Sequence, residues 1–242
     1  MSDQSLTPES PLPLRPKVRL RERFSWFWEY YKWYALLALS LVAVLVLSTL
    51  QLCSRVSYDY TVLYAGPQYL GFEAKNTVAA SFAEMARGGG DTAPSVELRV
   101  CHILTNEQAQ QGGYSASYLQ DQLSLFDNEI KVGDALILLL APALFERIQA
   151  GSGALMPVSL YLPSGDVTVR FYEEDNPYAV YLSGTSFGTL PGLSELPDDT
   201  LLCLRTPVSL GTLFRQKKAE ENHARYEQLF ADLLAWQPTE ED

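Results

Sequence analysis

The chain of 242 residues carries 29 Asp and Glu against 18 Lys and Arg, a net charge of −11. The first fifty-five residues hold seven basic and four acidic side chains, whereas the 187 that follow hold eleven basic and twenty-five acidic ones. So acidic a region repels nucleic acid, which excludes DNA or RNA binding, and its length suffices for one well-buried domain.

An uninterrupted apolar run at residues 34–52 predicts a transmembrane helix. About nineteen helical residues cover about 28 Å, close to the hydrocarbon thickness of a bilayer. A buried core helix would keep a polar stripe, which this run lacks. A cleaved signal peptide would have a shorter N-terminal region and a small-x-small cleavage site. Lipidation of Cys53 is disfavoured because Leu52, not a small residue, precedes it. The run is therefore interpreted as an anchor.

The residues before the run are typical of a membrane interface. Aromatic rings with polar edges are enriched at headgroup depth, and a lysine among them can extend its ammonium group to the surface. The predicted interface residues are Trp26, Trp28, Tyr30, Tyr31, Lys32, Trp33 and Tyr34.

Basic residues on the N-terminal side predict the orientation. Loops rich in Lys and Arg stay in the cytoplasm. The residues that set the topology are Arg15, Lys17, Arg19, Arg21 and Arg23. We therefore expect a single-pass protein of the cell membrane, with a cytoplasmic tail and aromatic belt at 1–33, the span at 34–52 and an extracytoplasmic domain at 53–242.

The outer region begins with alternating strands and helices. The strands read SYDYTVLYAG, SVELRVCHIL and DALILLLA, and a polar loop containing Gly112 and Gly113 follows the second. Apolar residues at helical spacing predict helices around 72–86, 119–130 and 143–150. This alternation favours an α/β fold with a largely parallel sheet and helices on both faces.

The pattern changes after the third helix. Short segments separated by turn residues, SLYLP, DVTVRFYEE and YAVYLSG, predict an antiparallel extension of the sheet. TLLCLR predicts one more strand. An apolar stripe predicts a closing helix from 213 to 236.

Two segments resemble known proteins. The head WFWEYYKWY, followed by one span and the strand DYTVLYAG, resembles uncharacterised single-pass membrane proteins of Gram-positive bacteria, which have an extracytoplasmic α/β domain. The segment GDALILLLAPALFERIQAGSGALMPV is similar to part of the extracytoplasmic solute-binding proteins, as is NPYAVYLSGTS. This resemblance implies a ligand-binding lobe. Solute-binding proteins usually have two lobes, and this chain has room for little more than one.

The carboxyl ends of the first two strands are the expected ligand-binding rim, because ligands of parallel sheets gather there. The rim residues are Tyr64, Gly66, His102, Thr105 and Asn106. Helix caps and turns explain the same residues without a ligand, and both interpretations stay open.

No catalytic constellation is expected. Ser186 lies in a Gly-x-Ser-x-Gly motif, followed by an aspartate pair at 198–199 and by His223, in the order of an α/β-hydrolase. The prolines at 191 and 197 forbid the helix that this motif needs after its serine. A serine hydrolase thus remains only a remote alternative.

Metal and cofactor sites are not predicted either. The chain has two histidines, three cysteines and no metal-binding spacing. Cys101 and Cys203 both fall in predicted strands, where they are either two small buried thiols or one bridge between neighbouring strands. We expect a non-catalytic, membrane-anchored domain whose partners are the lipid bilayer and either a small solute or an envelope protein. The second option makes it a scaffold subunit of a membrane complex.

Overall fold

A computed structural model of the chain describes residues 20–53, 58–88, 92–152, 155–162, 169–206 and 213–238. The chain divides into two compact units, residues 1–57 and 58–242. The described helices are α1 Leu20–Cys53, α2 Phe72–Ala86, α3 Asn106–Gly112, α4 Ala116–Val132, α5 Pro142–Ser152 and α6 Leu213–Ala235. The strands are β1 Tyr60–Gly66, β2 Val96–His102, β3 Ile137–Leu140, β4 Leu155–Met156, β5 Phe171–Glu173, β6 Asn176–Tyr181 and β7 Leu201–Arg205.

The first unit is dominated by α1, which contains one stretch long and apolar enough to cross a membrane, Tyr31–Thr49. Its mean hydropathy is 1.8, and none of it is buried. Within α1 the hydroxyl of Ser40 donates to the carbonyl oxygen of Leu37 at 2.9 Å, so its polar group is satisfied inside the helix.

The second unit is a mixed α/β domain built on one sheet with the strand order β2-β1-β3-β7-β6-β5, and β4 also pairs with β7. β1 is parallel to both of its neighbours. β7 enters antiparallel between β3 and β6, and β5 and β4 are antiparallel to their partners as well. The parallel part of the sheet therefore lies at the β2 side, and the antiparallel part begins at β7.

Helices cover both faces of this sheet. One core cluster joins Val78 and Phe82 of α2 and Phe230 of α6 to one face. The other cluster joins Phe126 of α4 and Phe145 of α5 to the opposite face. The hydroxyl of Tyr226 further ties α6 to the sheet, because it accepts a hydrogen bond from the backbone N–H of a buried β1 residue, Thr61, at 2.5 Å. The predicted α/β class with helices on both faces is confirmed.

Two local predictions are wrong. Residues 106–112 form a helix where a polar loop was expected, because Thr105 and Gln108 make a capping box at its N-terminus. The segment SLYLP was expected to be a strand, but Val158–Leu160 is a 3-10 helix that follows Pro157. In DVTVRFYEE only Phe171–Glu173 is a described strand, since residues 163–168 lie outside the described ranges.

A buried arginine donates hydrogen bonds at the C-terminal end of α4. Arg205, the last residue of β7, is 0% exposed. One terminal nitrogen of its guanidinium donates to the carbonyl oxygen of Glu129 at 2.8 Å, and the other donates to that of Gly133 at 2.7 Å. The carbonyl oxygen of Glu129 also accepts the backbone N–H of Gly133 at 2.9 Å, so the cation adds a second donor there and supplies the described donor to Gly133 just past the helix end. Burial lowers the pKa of Arg205, against the opposing effect of Glu129 and then Asp134.

Candidate functional site

The parallel pairing of β1 and β2 brings the predicted rim residues to one edge of the sheet, because Gly66 lies opposite His102 in register. Tyr64 is fully buried, and its hydroxyl accepts a hydrogen bond from the backbone N–H of Gln68 at 3.3 Å. Burial raises the pKa of Tyr64 to about 12, and the charge of Asp199 adds to the effect. Gly66 has no room for a side chain, since a Cβ there would lie 2.7 Å from the Tyr64 hydroxyl oxygen.

His102 is the polar centre of this edge. Its side chain is buried, with Nε2 2.9 Å from the carbonyl oxygen of Pro67 and Nδ1 3.0 Å from the hydroxyl of Tyr118. A carbonyl oxygen can only accept, so Nε2 carries a proton and donates, and in a neutral imidazole Nδ1 then accepts the Tyr118 hydroxyl proton. The backbone N–H of His102 donates to the side chain of Gln122 at 3.1 Å. The imidazole therefore joins the loop after β1 to α4.

Three tyrosines surround the imidazole, and with His102 they form what we call the tyrosine cluster. The ring centroids of Tyr69, Tyr114 and Tyr118 lie 5.8, 5.5 and 6.1 Å from that of His102, all in edge-on geometry. Tyr114 and Tyr118 stack on each other at 5.1 Å. Tyr69 is 72% exposed and Tyr114 is 41% exposed. Burial, then Tyr114 and Tyr69, raise the pKa of Tyr118. Aromatic faces thus remain open to solvent above a satisfied histidine.

The other two rim residues do not join this cluster by any described contact. The side-chain oxygen of Thr105 accepts from the backbone N–H of Gln108 at 3.2 Å, and the backbone N–H of Thr105 donates to the Gln108 side chain at 3.0 Å. Thr105 is therefore a helix cap, which is the interpretation that needs no ligand. Asn106 is an exposed first residue of α3. Of the predicted rim, Tyr64, Gly66 and His102 come together at the edge.

The three tyrosines were not among the predicted residues. Tyr69 lies in the loop after β1, where the Gly-Pro pair predicted only the end of a strand. Tyr114 and Tyr118 meet His102 because the short helix α3 turns the chain back toward α4. The capping box of Thr105 with Gln108 was the signal in the sequence that could have revealed this turn.

The motif around Ser186 does not have the geometry of a catalytic serine. A nucleophile elbow joins a strand to a helix through a strained turn. Here β6 leads into two 3-10 helices, Leu182–Gly184 and Ser186–Thr189. Every positive φ among the described residues belongs to a glycine, so Ser186 does not adopt the strained conformation. His223 lies on α6 with its Nε2 3.2 Å from Glu227. The remote hydrolase alternative therefore gains no support.

The cysteines at 101 and 203 are buried free thiols. β1 and β3 lie between their strands, β2 and β7, which at about 4.8 Å per strand separates the two residues by about 14 Å. A disulfide needs its Cα atoms within about 7 Å. The alternative of a bridge is therefore wrong. In the described parts of the chain no group of His, Cys, Asp and Glu could hold a metal ion.

The predicted interface and topology residues are only partly described. Tyr31, Lys32, Trp33 and Tyr34 are exposed on α1. Trp26, Trp28, Tyr30, Arg21 and Arg23 belong to α1, but their side chains lie outside what the structure describes, and Arg15, Lys17 and Arg19 lie outside the described residues altogether.

The chain was compared with known proteins at the level of family, sequence and structure. No protein-family model, no curated protein and no solved structure matches it.

Proposed function

We propose that the protein is held in the cell membrane by α1 and presents the domain of residues 58–242 on the outer side, where it binds a ligand without catalysing a reaction. A resemblance to single-pass membrane proteins and to one lobe of solute-binding proteins agrees with this proposal. The strand order and the site geometry supply its physical basis.

The observation that supports the anchoring is that an apolar helical stretch has no buried residue. The stretch Tyr31–Thr49 combines a mean hydropathy of 1.8 with no buried residue. A core helix of a water-soluble protein is covered by its neighbours, and an uncovered one would leave a large apolar surface in water. Lipid tails are a medium that covers such a helix on every side, and its length fits the hydrocarbon layer. The basic residues before it favour a cytoplasmic N-terminus.

The binding site in this proposal is the tyrosine cluster at the carboxyl ends of β1 and β2. Tyr69 and Tyr114 offer exposed ring faces, and His102 fixes the position of the loop that carries Tyr69. Exposed tyrosine rings stack on flat or cationic groups. The outer region carries twenty-five acidic against eleven basic residues, which disfavours anions. The expected ligand is therefore neutral or cationic, with a flat face or a quaternary ammonium group.

One observation favours the alternative, a scaffold subunit of an envelope complex. Phe72, the first residue of α2, is 80% exposed and follows the exposed Tyr69 by three residues. Large exposed aromatic side chains are enriched in protein interfaces. In this alternative the same edge of the sheet contacts another membrane protein and not a small ligand.

A pair of variants tests the binding proposal. The full chain in nanodiscs is unfolded by heat in the presence of choline, N-acetylglucosamine or glucose 6-phosphate, with circular dichroism as the readout. The proposal predicts a higher Tm with choline or N-acetylglucosamine, lost in Tyr69→Ala and kept in Tyr58→Ala, a matched control with an exposed tyrosine at the other end of β1. An unchanged Tm with all probes, together with crosslinking of position 69 to a membrane protein in cells, would favour the scaffold alternative.

A further inference from the structure

One edge of the described sheet has no neighbouring strand, and α4 reaches it only at its carboxyl end, where Gln122 accepts from the N–H of His102. β2 is the outermost strand of the described sheet and pairs with β1 alone. Its seven residues keep an unbroken register with β1 and contain no proline. The opposite edge is β5, which is three residues long and has a register shift between Phe171 and Glu173. Short strands and bulges prevent unwanted pairing at sheet edges, whereas a long regular edge is a template for another strand.

The backbone of β2 defines which groups are available. The N–H of Ile103 donates to the carbonyl oxygen of Gly66 in β1, so the odd-numbered residues direct their backbone groups inward. The even-numbered residues therefore direct theirs away from β1. His102 agrees with this alternation, because its N–H is taken by Gln122 of α4. The outward groups of Val96, Leu98 and Val100 have no described partner.

The side chains along this edge are complementary to themselves. The segment runs Val96, Glu97, Leu98, Arg99 and Val100. On either side of Leu98 a charged residue comes first and a valine second, and the two charges have opposite signs. Glu97 and Arg99 share one face, and their side chains are 33% and 34% exposed. Val96, Leu98 and Val100 share the other face and pack on the core.

We propose that two copies of the chain pair through β2 in antiparallel orientation, with Leu98 on the twofold axis. Leu98 then lies opposite Leu98 of the second copy, and Val96 lies opposite Val100, so that the outward backbone groups exchange hydrogen bonds. Glu97 of each copy lies opposite Arg99 of the other, in the closely spaced non-hydrogen-bonded pairs. A shift that pairs like residues would place Glu97 against Glu97, so the charges select this register.

The pairing leaves the ion pairs of the single chain intact. Arg99 contacts Glu97 at 3.0 Å, Glu129 at 2.9 Å and Asp134 at 2.7 Å. Arg205 lies near Glu129 and Asp134 as well, so the cluster holds two arginines and three carboxylates, and the Arg99 of a second copy facing Glu97 balances the remaining negative charge. β2 itself carries the complementary order of charges when it is reversed, which is why we assign a second copy of the chain as the occupant.

Cysteine pairs test the register directly. In a Cys53→Ser background, full-length Glu97→Cys and Arg99→Cys chains with different tags are expressed together in membranes and oxidised. Positions 97 and 99 of opposite copies would lie about 4.5 Å apart between Cα atoms, within the disulfide range. Position 97 of one copy and position 97 of the other would be diagonal neighbours, about 7–8 Å apart. The proposal predicts a disulfide between a Glu97→Cys chain and an Arg99→Cys chain. It predicts little disulfide between two copies of the same variant. Equal yields in the mixed and unmixed samples would overturn it.

A charge variant gives a second, independent measurement. Light scattering of the full chain in detergent should show two copies per particle for the wild type and for Glu97→Gln. Glu97→Lys should be monomeric, because the introduced ammonium group would face the Arg99 guanidinium of the other copy. A monomeric wild type, or a Glu97→Lys variant that still dimerises, would contradict the proposal. These outcomes do not depend on ligand binding at the tyrosine cluster.

Discussion

Nδ1 of His102 lies 3.0 Å from the hydroxyl oxygen of Tyr118. This contact links the carboxyl end of β2 to α4, and the other ring nitrogen holds the carbonyl of Pro67 at the end of β1. The imidazole is thus shared by three segments that are far apart in the chain. It fixes the edge at which we place ligand binding.

Removing the Tyr118 hydroxyl should weaken the domain. In Tyr118→Phe the buried Nδ1 of His102 loses its donor, which should lower the free energy of unfolding by about 1 to 3 kcal/mol. Tyr114→Phe is the matched control, because no described partner binds its hydroxyl, and its change should stay below about 0.5 kcal/mol. Urea unfolding of the full chain in detergent measures both. Equal effects of the two variants would contradict the assigned hydrogen bond.

Arg205 should be among the most sensitive positions of the domain. Arg205→Met removes the described donor to the Gly133 carbonyl oxygen and one of the two donors to the Glu129 carbonyl oxygen, and we expect a loss of about 1 to 3 kcal/mol in unfolding free energy. The control is Arg87→Met, which removes an exposed pair with Glu84 on α2 and should cost less than about 1 kcal/mol. An Arg205→Met variant as stable as the wild type in urea unfolding would show that solvent satisfies these carbonyls.

Local patterns in the sequence were enough to predict several elements. The apolar spacing of residues 72–86 and the buried run before Pro142 predicted α2, β3 and α5, because a helix face or a doubly buried strand is a property of contiguous residues. The position of β7 between β3 and β6 could not be predicted in this way. It depends on the pairing of Leu139 with Leu202 across more than sixty residues of chain. The tyrosine cluster depends in turn on how α3 reverses the chain.

Asp59 should make stability depend on pH in the acid range. Hydrogen bonds from the backbone and then the side chain of Ser95 lower the pKa of Asp59 below 3.8. Its contribution is therefore present above about pH 3.8 and is lost as the pH falls through the lower pKa of the folded state. Because the side chain is about half exposed, the contribution should stay below about 1 kcal/mol.

The test of this pH dependence is the difference in unfolding free energy between the wild type and Asp59→Asn. It should be larger at pH 6 than at pH 2.5, where a greater fraction of the wild-type carboxylate is protonated. A difference that is the same at both pH values would show that the charge of Asp59 does not contribute.

The two buried thiols should be unreactive in the folded protein. Burial raises the pKa of Cys101 to about 11 and raises that of Cys203 further. The thiolate is the reactive form, so maleimide at pH 7.5 should label neither cysteine in a Cys53→Ser chain, and both should react in urea. Mass spectrometry counts the labels. Labelling of Cys203 without denaturant would place it at the surface, contrary to the central position of β7.

Protease treatment of intact protoplasts tests the central claim most directly. The full chain carries one tag before residue 1 and another after residue 242, and both are followed by immunoblotting before and after the membrane is opened with detergent. The account predicts that protease removes the C-terminal tag from intact protoplasts, while the N-terminal tag stays on a protected fragment in the membrane fraction until detergent is added. A C-terminal tag that survives in intact protoplasts, or a shortened chain found in the medium, would contradict it.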